Sequence, residues 1–423
     1  MRRLLSLAFP AVAGLIHSLV VVVVAAAAAD GTDVRDLPVT RKGPTLLLDD
    51  KPWKAVGPNV YWLGLDENVT PPEGEPFYEP LRASYPAKGR VSEIMAVVRA
   101  MGGTMIRSHT LGVSTGNPLS LYPSLNKLNP AAFEPIDWAI YQAREHSVRL
   151  MIPLTDNFDY YHGGKYNWMR WRGFNLTRAR DESNPQVMQF YLNRTIIDDF
   201  KGYIRALLTH VNPYTNLTYA EDPTVFAYET GNELCGPAWK DMNVPVPWVR
   251  EIGQLIKELA PNKLFVDGTY GVNRTHFEID EVDIFSNHYY PISISKLRAD
   301  LELMSIADRP YFAGEYTWLG EGATSDANLT AWFREIETSP SVAGDAFWSL
   351  FGHNVPDCST FVEHDDGLTM HYGNPAHETQ IKLVRQHFVK MSQGLSIAAD
   401  EALPPVPCPV PSSGSRHPAN AGK

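Results

Sequence analysis

The sequence predicts one large α/β domain, a (β/α)8 or TIM barrel with long loops at the C-terminal face of its strands. Short apolar segments alternate with segments of helical periodicity along most of the 423-residue chain, which is 44% apolar. Such alternation indicates parallel strands joined by right-handed crossovers, and eight units in about 330 residues suit a closed barrel. A doubly wound sheet alternates in the same way, but no glycine-rich phosphate turn follows the first strand.

Eight segments have the composition of buried strands, because they are short, apolar and bounded by turn residues. They are residues 58–63, 103–107, 149–154, 225–229, 264–267, 284–286, 311–314 and 344–348. Helical periodicity is predicted for residues 91–101, 133–146, 189–210, 247–259, 297–306, 328–338 and 376–391. Long insertions at 112–129 and 155–184 are expected on the face where the strands end, and residues 46–48 on the barrel floor.

The N-terminus is predicted to be a secretory signal peptide, residues 1–29. Arg2 and Arg3 precede an apolar run that ends in small residues before Asp30, which is the pattern of a cleaved signal. An uncleaved membrane anchor is the alternative, because apolar residues already begin at Leu4. A proline, a glycine and two polar residues interrupt that run, and this favours cleavage.

Two further boundaries follow from composition. Residues 30–394 carry the barrel pattern, and the proline- and serine-rich segment 395–423 is predicted to be a disordered tail. Six Asn-x-Ser/Thr sequons agree with secretion; they are Asn68, Asn175, Asn193, Asn216, Asn273 and Asn328. We therefore expect a secreted, extracellular, monomeric glycoprotein without membrane contact after signal cleavage.

The charge balance excludes one class of partner. The chain has 37 Lys and Arg against 48 Asp and Glu, a formal net charge of −11, whereas a nucleic-acid partner calls for a basic face. No cofactor motif is present in the sequence. An acidic cluster at 363–366 fits no metal-ligand template and is interpreted as a solvated turn, so we expect no metal and no cofactor.

Cysteine usage rules out a disulfide scaffold. The chain has three cysteines, Cys235, Cys358 and Cys408, so at most one bridge forms within it. Cys235 and Cys358 follow predicted strands four and eight, and long loops at the barrel mouth allow them to pair. Cys408 is the alternative partner for either.

Two carboxylates stand at the ends of predicted strands. Strand four runs into Gly231, Asn232 and Glu233, and strand seven runs into Glu315. Side chains at the C-terminal ends of barrel strands share one mouth. A pair of carboxyl groups there is suited to acid/base and nucleophilic work on a glycosidic bond, while an amide holds a sugar hydroxyl.

Several motifs, in this order and at barrel spacing, resemble one enzyme family. They are residues 57–63 (GPNVYWL), Arg107, residues 226–233 (FAYETGNE), residues 288–291 (HYYP), residues 314–316 (GEY), residues 344–348 (GDAFW) and residues 366–367 (DG). From about residue 58 to about residue 389 the chain resembles the fungal-type endo-β-1,4-mannanases of glycoside hydrolase family 5, which are clan A glycosidases. Residues 30–394 would then form the catalytic domain.

The resemblance implies a retaining mechanism with Glu233 as acid/base and Glu315 as nucleophile, their carboxyl groups ~5–5.5 Å apart. It also implies that Asn232 binds the sugar 2-hydroxyl. Among supporting residues, it implies that Arg107 orients Glu315, that Tyr290 donates a hydrogen bond to Glu315, that His288 lines the catalytic subsite and that Trp348 forms its floor. The residues themselves agree for Arg107, since a cation in an apolar strand needs a carboxylate partner.

The function expected from this resemblance is internal hydrolysis of β-1,4-mannan. Asn232 reaches the 2-hydroxyl of mannose or glucose, so discrimination is expected from His288, Trp348 and the segment Ser108–His109. Aromatic residues between 160 and 171 favour a polymer by offering sugar platforms. The alternatives are another clan A β-glycanase or an exo-β-glycosidase acting on glucan, and a non-catalytic glycan-binding barrel.

A serine hydrolase is a further alternative, because residues 112–116 (GVSTG) satisfy the G-x-S-x-G pattern. That pattern requires a helix directly after the serine. The residues that follow Ser114 include two prolines and predict a loop, which argues against this class.

Overall fold

A computed structural model describes residues 33–67, 83–176, 184–235, 243–319, 328–364 and 366–409. Residues Val34–Lys423 belong to one compact unit. The predicted signal peptide and the sequon at Asn68 lie outside the described residues. Every helix within those ranges is too short or too polar to cross a lipid bilayer.

The chain begins its folded part with a small antiparallel sheet. Strands β1 (Thr40–Lys42), β2 (Thr45–Leu48) and β3 (Lys51–Pro52) pair in that order. Leu46 is buried in the apolar cluster inside the barrel, and Trp53 packs edge-to-face on Phe226 with ring centroids 5.3 Å apart. The prediction that this segment covers the barrel floor is confirmed by these contacts.

Eight parallel strands form the barrel. They are β4 (Ala55–Pro58), β5 (Met105–Arg107), β6 (Arg149–Pro153), β7 (Val225–Glu229), β8 (Leu264–Asp267), β9 (Ile284–Tyr289), β10 (Tyr311–Thr317) and β11 (Val342–Trp348). Each strand from β5 to β11 pairs with the next, and β11 pairs with β4. Between β4 and β5, the N–H of Thr104 donates to the Val56 carbonyl at 2.8 Å and the N–H of Val60 to the Arg107 carbonyl at 3.0 Å. The predicted (β/α)8 barrel is thereby confirmed.

Helices surround the barrel. Their bounds are α1 (Lys88–Ala100), α2 (Phe133–Glu145), α3 (Lys165–Trp171), α4 (Gln189–Leu192), α5 (Arg194–Leu208), α6 (Val246–Leu259), α7 (Ile294–Ala307), α8 (Leu329–Thr338) and α9 (Glu378–Gln393). The predicted helix 189–210 breaks at Asn193, whose side-chain oxygen caps α5 by accepting from the N–H of Thr195 at 3.1 Å. Two short strands, β12 (Leu350–Phe351) and β13 (Met370–His371), pair beside the barrel mouth.

Several element bounds predicted from the sequence differ from the structure, and one helix was not predicted. The first barrel strand is Ala55–Pro58 rather than 58–63, because the buried residues after Pro58 turn into the barrel mouth and keep only a single bridge from Asn59 to Arg107. Helix α3 lies inside the insertion that was expected to be a loop. Burial alone does not distinguish a strand from a packed turn, which explains the first error.

The disulfide joins Cys358 to Cys408, so the hypothesis of a Cys235–Cys358 bridge is wrong and the alternative partner is the correct one. Cys235 is a buried free thiol in the loop after β7. The bridge, together with Leu403 and Val406 packed against the core, holds residues as far as 409 against the barrel. The prediction of a disordered tail from residue 395 therefore does not apply to 395–409.

A buried histidine links the last helix to the last barrel strand. His387 of α9 lies 3.0 Å from Asp345 of β11 through Nε2, and 3.0 Å from Glu337 of α8 through Nδ1. Burial alone would lower the pKa of His387, but Asp345 and Glu337 outweigh it and raise this pKa to about 9. The protonated imidazole therefore stabilises the folded state.

We expect this contact to make unfolding pH-dependent. Because the folded pKa of about 9 exceeds the unfolded value of ~6.5, the stabilisation is complete below pH ~6.5 and is lost as the pH rises through 9. The loss should approach about 3 kcal/mol. His387→Gln should flatten the fall of Tm between pH 6.5 and 9, whereas His146→Gln, on a histidine without a described carboxylate contact, should leave that slope unchanged. Equal slopes for His387→Gln and the unaltered chain would contradict the assignment.

Candidate active site

The C-terminal ends of the strands enclose a cavity of about 470 Å³. Five of the seven residues predicted for the site line it: Asn232, Glu233, Tyr290, Glu315 and Trp348. The other two, Arg107 at the end of β5 and His288 in β9, are buried directly behind Glu315. The structure therefore brings all seven predicted residues to one place.

The loop that carries Asn232 and Glu233 is fixed by backbone hydrogen bonds on both sides. The N–H of Asn232 donates to the Thr155 carbonyl after β6 at 2.9 Å, and the N–H of Leu234 donates to the Gly268 carbonyl after β8 at 2.9 Å. A Cβ on Gly268 would lie 1.8 Å from the Gly231 carbonyl oxygen, so only glycine allows the two loops to approach this closely. Glu233 itself has a φ of 48°, which costs a non-glycine residue ~1–2 kcal/mol; such strain concentrates at functional sites.

Arg107 is fully buried and contacts carboxylates on two strands. Its Nε and Nη2 donate to the two oxygens of Glu229 at 2.8 and 3.1 Å, and its Nη1 donates to Glu315 Oε1 at 2.7 Å. Nη2 also donates to Asn232 Oδ1 at 3.0 Å. Burial alone would lower the pKa of Arg107, but Glu229 and Glu315 outweigh burial and raise it, so the guanidinium stays charged. Glu229 is the structural partner that a buried cation requires.

Asn232 is oriented from its other side by a residue that the sequence did not indicate. Its Nδ2 donates to Asp156 Oδ1 at 3.3 Å, and Asp156 Oδ2 lies 3.1 Å from Nε2 of His162. Arg107 donates to Oδ1 of the same amide, so the two partners fix which end of the Asn232 amide is oxygen and which is nitrogen. Asn232 itself lines the cavity. The signal for Asp156 was its position just after β6, where polar residues reach the mouth of a barrel.

Glu315 lies near the end of β10 and is held at both oxygens. The Tyr290 hydroxyl donates to Glu315 Oε2 at 2.9 Å, opposite the contact of Arg107 with Oε1. Burial raises the pKa of Glu315 above its ordinary value and Glu233 adds to that rise, while His288, Arg107 and the Tyr290 hydrogen bond oppose it. Two charge-stabilising donors on one carboxylate favour its ionised form.

His288 lies between the two glutamates. Its Nδ1 is 2.8 Å from Glu233 Oε1 and 3.6 Å from Glu315 Oε2. One ring nitrogen of His288 and one carboxylate oxygen from each glutamate all lie within 4.8 Å of one another. Burial lowers the pKa of His288 to about 4, with Arg107 adding to that effect and Glu315 opposing it. A neutral imidazole therefore bridges the two carboxyl groups.

Trp348 forms one wall of the cavity. Its indole Nε1 donates to Asp366 Oδ2 at 2.8 Å, and its ring stacks on Tyr61 with centroids 4.9 Å apart and planes 2° apart. The Tyr61 hydroxyl donates to Glu67 Oε1 at 2.7 Å, and Tyr61 and Glu67 both line the cavity. Tyr61 was predicted to lie within the first strand, and its place in this wall was not predicted.

The aromatic insertion after β6 differs from its expected role. Tyr166 and Trp168 are buried in the core and do not line the cavity, so they pack the insertion onto the barrel and offer no sugar platform, whereas Tyr161 is buried but borders the cavity. Phe158 and Tyr160 are half-buried and line the cavity. The platforms available to a sugar from this insertion are therefore fewer than its composition suggested.

Two alternative chemistries lose support. Ser114 Oγ accepts from the N–H of Leu121 at 2.9 Å, and no helix follows it, so the strand–turn–helix geometry of a serine hydrolase is absent from this described segment. In the acidic segment, His364 Nδ1 lies 2.7 Å from Thr369 Oγ1 and its Nε2 lies 2.7 Å from the Tyr61 hydroxyl. Those side chains support the cavity wall; Asp365 lies outside the described residues.

Solved structures that share this fold include two from one fungus. An endo-1,4-beta-mannanase from Rhizomucor miehei superposes with a TM-score of 0.66 at 21% identity, covering 84% of this chain and 99% of that one. A glycoside hydrolase family 5 mannosidase from the same organism gives 0.64 at 15% identity, over 85% of this chain and 98% of that one. At this level of identity, the likeness shows a shared barrel fold.

Sequence comparison supplies the family. A model described as GH family 5 beta-mannosidase-like matches residues 85–296, half of the chain. The chain therefore belongs to the mannosidase-like members of glycoside hydrolase family 5. Rice Mannan endo-1,4-beta-mannosidase 2 is 29% identical over 256 residues, which is 60% of this chain and 52% of the relative. Arabidopsis thaliana Mannan endo-1,4-beta-mannosidase 5 is 28% identical over 250 residues, 56% of this chain and 50% of the relative. The chain spans about half the length of these curated relatives.

Removal of the Tyr290 hydroxyl should change the pH dependence of activity. Because that hydroxyl lowers the pKa of Glu315, Tyr290→Phe should raise this pKa and move the acidic limb of the kcat/KM profile to higher pH. Loss of one hydrogen bond to a charged group should also lower kcat ~10-fold or more at the optimum. Tyr141→Phe, on the outer helix α2, is the matched control. An unmoved acidic limb would mean that Tyr290 does not act on the group that must be ionised.

Proposed function

We propose that this chain is a secreted, retaining endo-β-1,4-mannanase that acts as a monomer on internal β-1,4-mannosidic bonds. The observation that carries the proposal is the pair Glu233 and Glu315. A carboxylate oxygen of each lies within 4.8 Å of the other and of a His288 ring nitrogen, and Arg107 binds Glu315. Inverting glycosidases need ~6.5–9.5 Å between their carboxyl groups to admit a water, whereas retaining enzymes need ~5–5.5 Å. The observed proximity favours retention.

The first half of the proposed reaction forms a covalent intermediate. The Glu315 carboxylate attacks C1 of the sugar, the C1–O bond to the leaving sugar breaks, and the Glu233 carboxyl group gives its proton to the departing oxygen. Arg107 and the Tyr290 hydroxyl hold Glu315 before attack at 2.7 and 2.9 Å. Such preorganised contacts lower the cost of orienting the nucleophile.

The second half releases the sugar. The Glu233 carboxylate takes a proton from water, the water oxygen attacks C1, and the bond from C1 to Glu315 breaks, so both groups return to their starting states. Trp348 and Tyr61 stack to give the sugar an apolar wall, and Asn232 directs its free N–H to the 2-hydroxyl. Both contacts suit the oxocarbenium-like transition state, in which hydrogen bonds to the 2-hydroxyl strengthen.

Mannan is the proposed substrate because the curated relatives are named as mannan endo-1,4-beta-mannosidases and the family model is mannosidase-like. Secretion rests on the signal-like N-terminus and the sequons; Asn175, Asn216 and Asn328 are exposed, as glycan attachment requires. A glucan-active or exo-acting glycosidase and a non-catalytic glycan-binding barrel are the alternatives that experiment must separate.

The nucleophile can be identified by chemical rescue. Glu315→Ala should abolish turnover of an aryl β-glycoside with a good leaving group, and added azide should restore it by attacking C1 from the vacated face to give the α-glycosyl azide. Glu229→Ala is not a suitable control, because it would leave Arg107 buried without its partner. Glu233→Ala is the informative comparison: azide should there capture the glycosyl-enzyme and give the β-azide. A β-azide from Glu315→Ala would show that another residue is the nucleophile.

A substrate panel tests the polymer and the sugar together. Mannan should release reducing ends at internal bonds and lose viscosity early, whereas cellulose and β-1,3-glucan should release few. Glu233→Gln should lower kcat on mannan by ~10²–10⁴-fold, the usual contribution of a general acid, and less on aryl glycosides that need no protonation. Release of reducing ends from cellulose alone would show that the substrate is a glucan and not mannan, and would leave the proposed mechanism unchanged. Binding without release from any polymer would favour the non-catalytic barrel.

A further inference from the structure

His109 is a cavity residue whose ring nitrogens make no well-formed hydrogen bond within the described protein, although Glu315 Oε1 lies 3.8 Å from its Nε2 and the Asn232 side chain is near enough to raise its pKa. It follows β5 by two residues and opens the short helical turn His109–Leu111. Only 1% of its surface is exposed, yet it lines the cavity of the candidate active site. Within the described part of the chain, neither Nδ1 nor Nε2 makes a hydrogen bond. Buried polar atoms are nearly always paired in folded proteins, so a partner is expected from the cavity side.

The position of His109 next to the nucleophile limits what that partner is. Its Nε2 lies 3.8 Å from Glu315 Oε1, the oxygen that also accepts from Arg107. Its ring stands edge-on to Trp348, with centroids 5.4 Å apart and planes at 89°. Any group that reaches the free nitrogens must therefore come from a sugar lying between Glu315 and the Trp348 wall.

The protonation state also fits a sugar hydroxyl. Burial lowers the pKa of His109 well below its ordinary value, and the charge of Arg107 and the neighbouring His162 lower it further. A neutral imidazole has one N–H donor and one acceptor nitrogen. A hydroxyl group can pair with whichever of the two nitrogens it meets, because it donates to the bare nitrogen or accepts from the N–H, whereas a carboxylate can only accept and an ammonium group can only donate.

The side of Glu315 on which His109 lies selects one hydroxyl. Tyr290 contacts Oε2, whereas Arg107 and His109 lie at Oε1, and Arg107 in turn binds Asn232. A sugar attacked at C1 has two ring neighbours there, the ring oxygen and C2, and only C2 carries a hydroxyl. Because Asn232 is the amide directed at the 2-hydroxyl in the proposed reaction, His109 shares its side of the sugar.

We propose that His109 is a specificity-determining residue that hydrogen-bonds the sugar 2-hydroxyl in the catalytic subsite. This inference rests on the proposed glycosidase function and deepens it, since C2 is the carbon at which mannose and glucose differ in configuration. A site built to bond a hydroxyl in one direction rejects the epimer, because its buried polar atoms then remain unpaired. His109 would thus supply discrimination that Asn232, able to reach either epimer, does not.

The test combines variants that remove the His109 side chain with substrates that lack the 2-hydroxyl, so that each is removed alone and both are removed together. The substrates are aryl β-disaccharides whose aglycone-bearing unit is mannose, 2-deoxymannose, 3-deoxymannose or glucose. His109→Phe keeps a ring against Trp348 without polar atoms, and His109→Ala removes the ring. The measurement can be made if either variant folds. Both should lower kcat/KM for the mannose substrate by ~10–100-fold, the effect of one hydrogen bond in a buried site. For the 2-deoxy substrate the loss should be less than ~3-fold, since the partner is already missing.

His146→Phe is the matched control, because His146 lies at the end of the outer helix α2, contacts the Gln142 carbonyl and does not line the cavity. Its loss should be equal for the mannose and 2-deoxy substrates. Equal losses for His109→Phe would overturn the proposal, and so would a loss that disappears only with the 3-deoxy substrate. Faster hydrolysis of the glucose substrate by the unaltered chain would refute the proposed mannanase while leaving the coupling between His109 and the 2-hydroxyl measurable. If no substrate is hydrolysed, Kd values for the same four disaccharides, measured by calorimetry, decide the coupling.

Discussion

The buried guanidinium of Arg107 is the interaction on which the rest of the site depends. It binds both oxygens of Glu229, one oxygen of Glu315 and the amide oxygen of Asn232, so strands β5, β7 and β10 are tied together at the mouth. A buried cation is costly unless its hydrogen-bonding capacity is met by carboxylates, and removal of one partner leaves an uncompensated charge. The same contact that stabilises the barrel mouth thus fixes where Glu315 lies.

The second constraint is the backbone around Glu233. Hydrogen bonds to the Thr155 and Gly268 carbonyls leave the loop little freedom, and the left-handed conformation of Glu233 persists because its neighbours hold it. Glu233 therefore meets His288 at 2.8 Å through a rigid support. Position and protonation are coupled here, since a neutral His288 between two glutamates allows one of them to keep a proton while the other is ionised.

Residues at strand ends could be predicted from the sequence, whereas residues on loops could not. Arg107, Glu233 and Glu315 follow apolar segments whose parallel arrangement dictates a common edge, and a lone cation in such a segment requires a carboxylate. Asp156 and Tyr61 belong to turns whose course is set by contacts with distant segments, whereas His109 was expected near the sugar as part of the segment Ser108–His109. The disulfide from Cys358 to Cys408 escaped prediction for the same reason: sequence distance does not say which loops meet. Composition likewise overstated the number of sugar platforms in the aromatic insertion, because Tyr166 and Trp168 are buried and pack in the core.

The cavity wall has an acidic character that bears on what it binds. Glu67, Asp156 and Asp366 line the cavity with Glu233 and Glu315, while Arg107 is enclosed beneath them and fully buried. Such a surface offers acceptors to hydroxyl donors and repels anionic groups. This lining therefore suits a neutral, hydroxyl-bearing group, in line with the proposed sugar substrate. The aromatic faces of Trp348 and Tyr160 complement that polarity, since the apolar face of a sugar ring needs a flat surface while its rim needs acceptors. Selectivity between neutral sugars must then come from individual hydroxyl contacts, of which the unpaired nitrogens of His109 are the least satisfied by the protein itself.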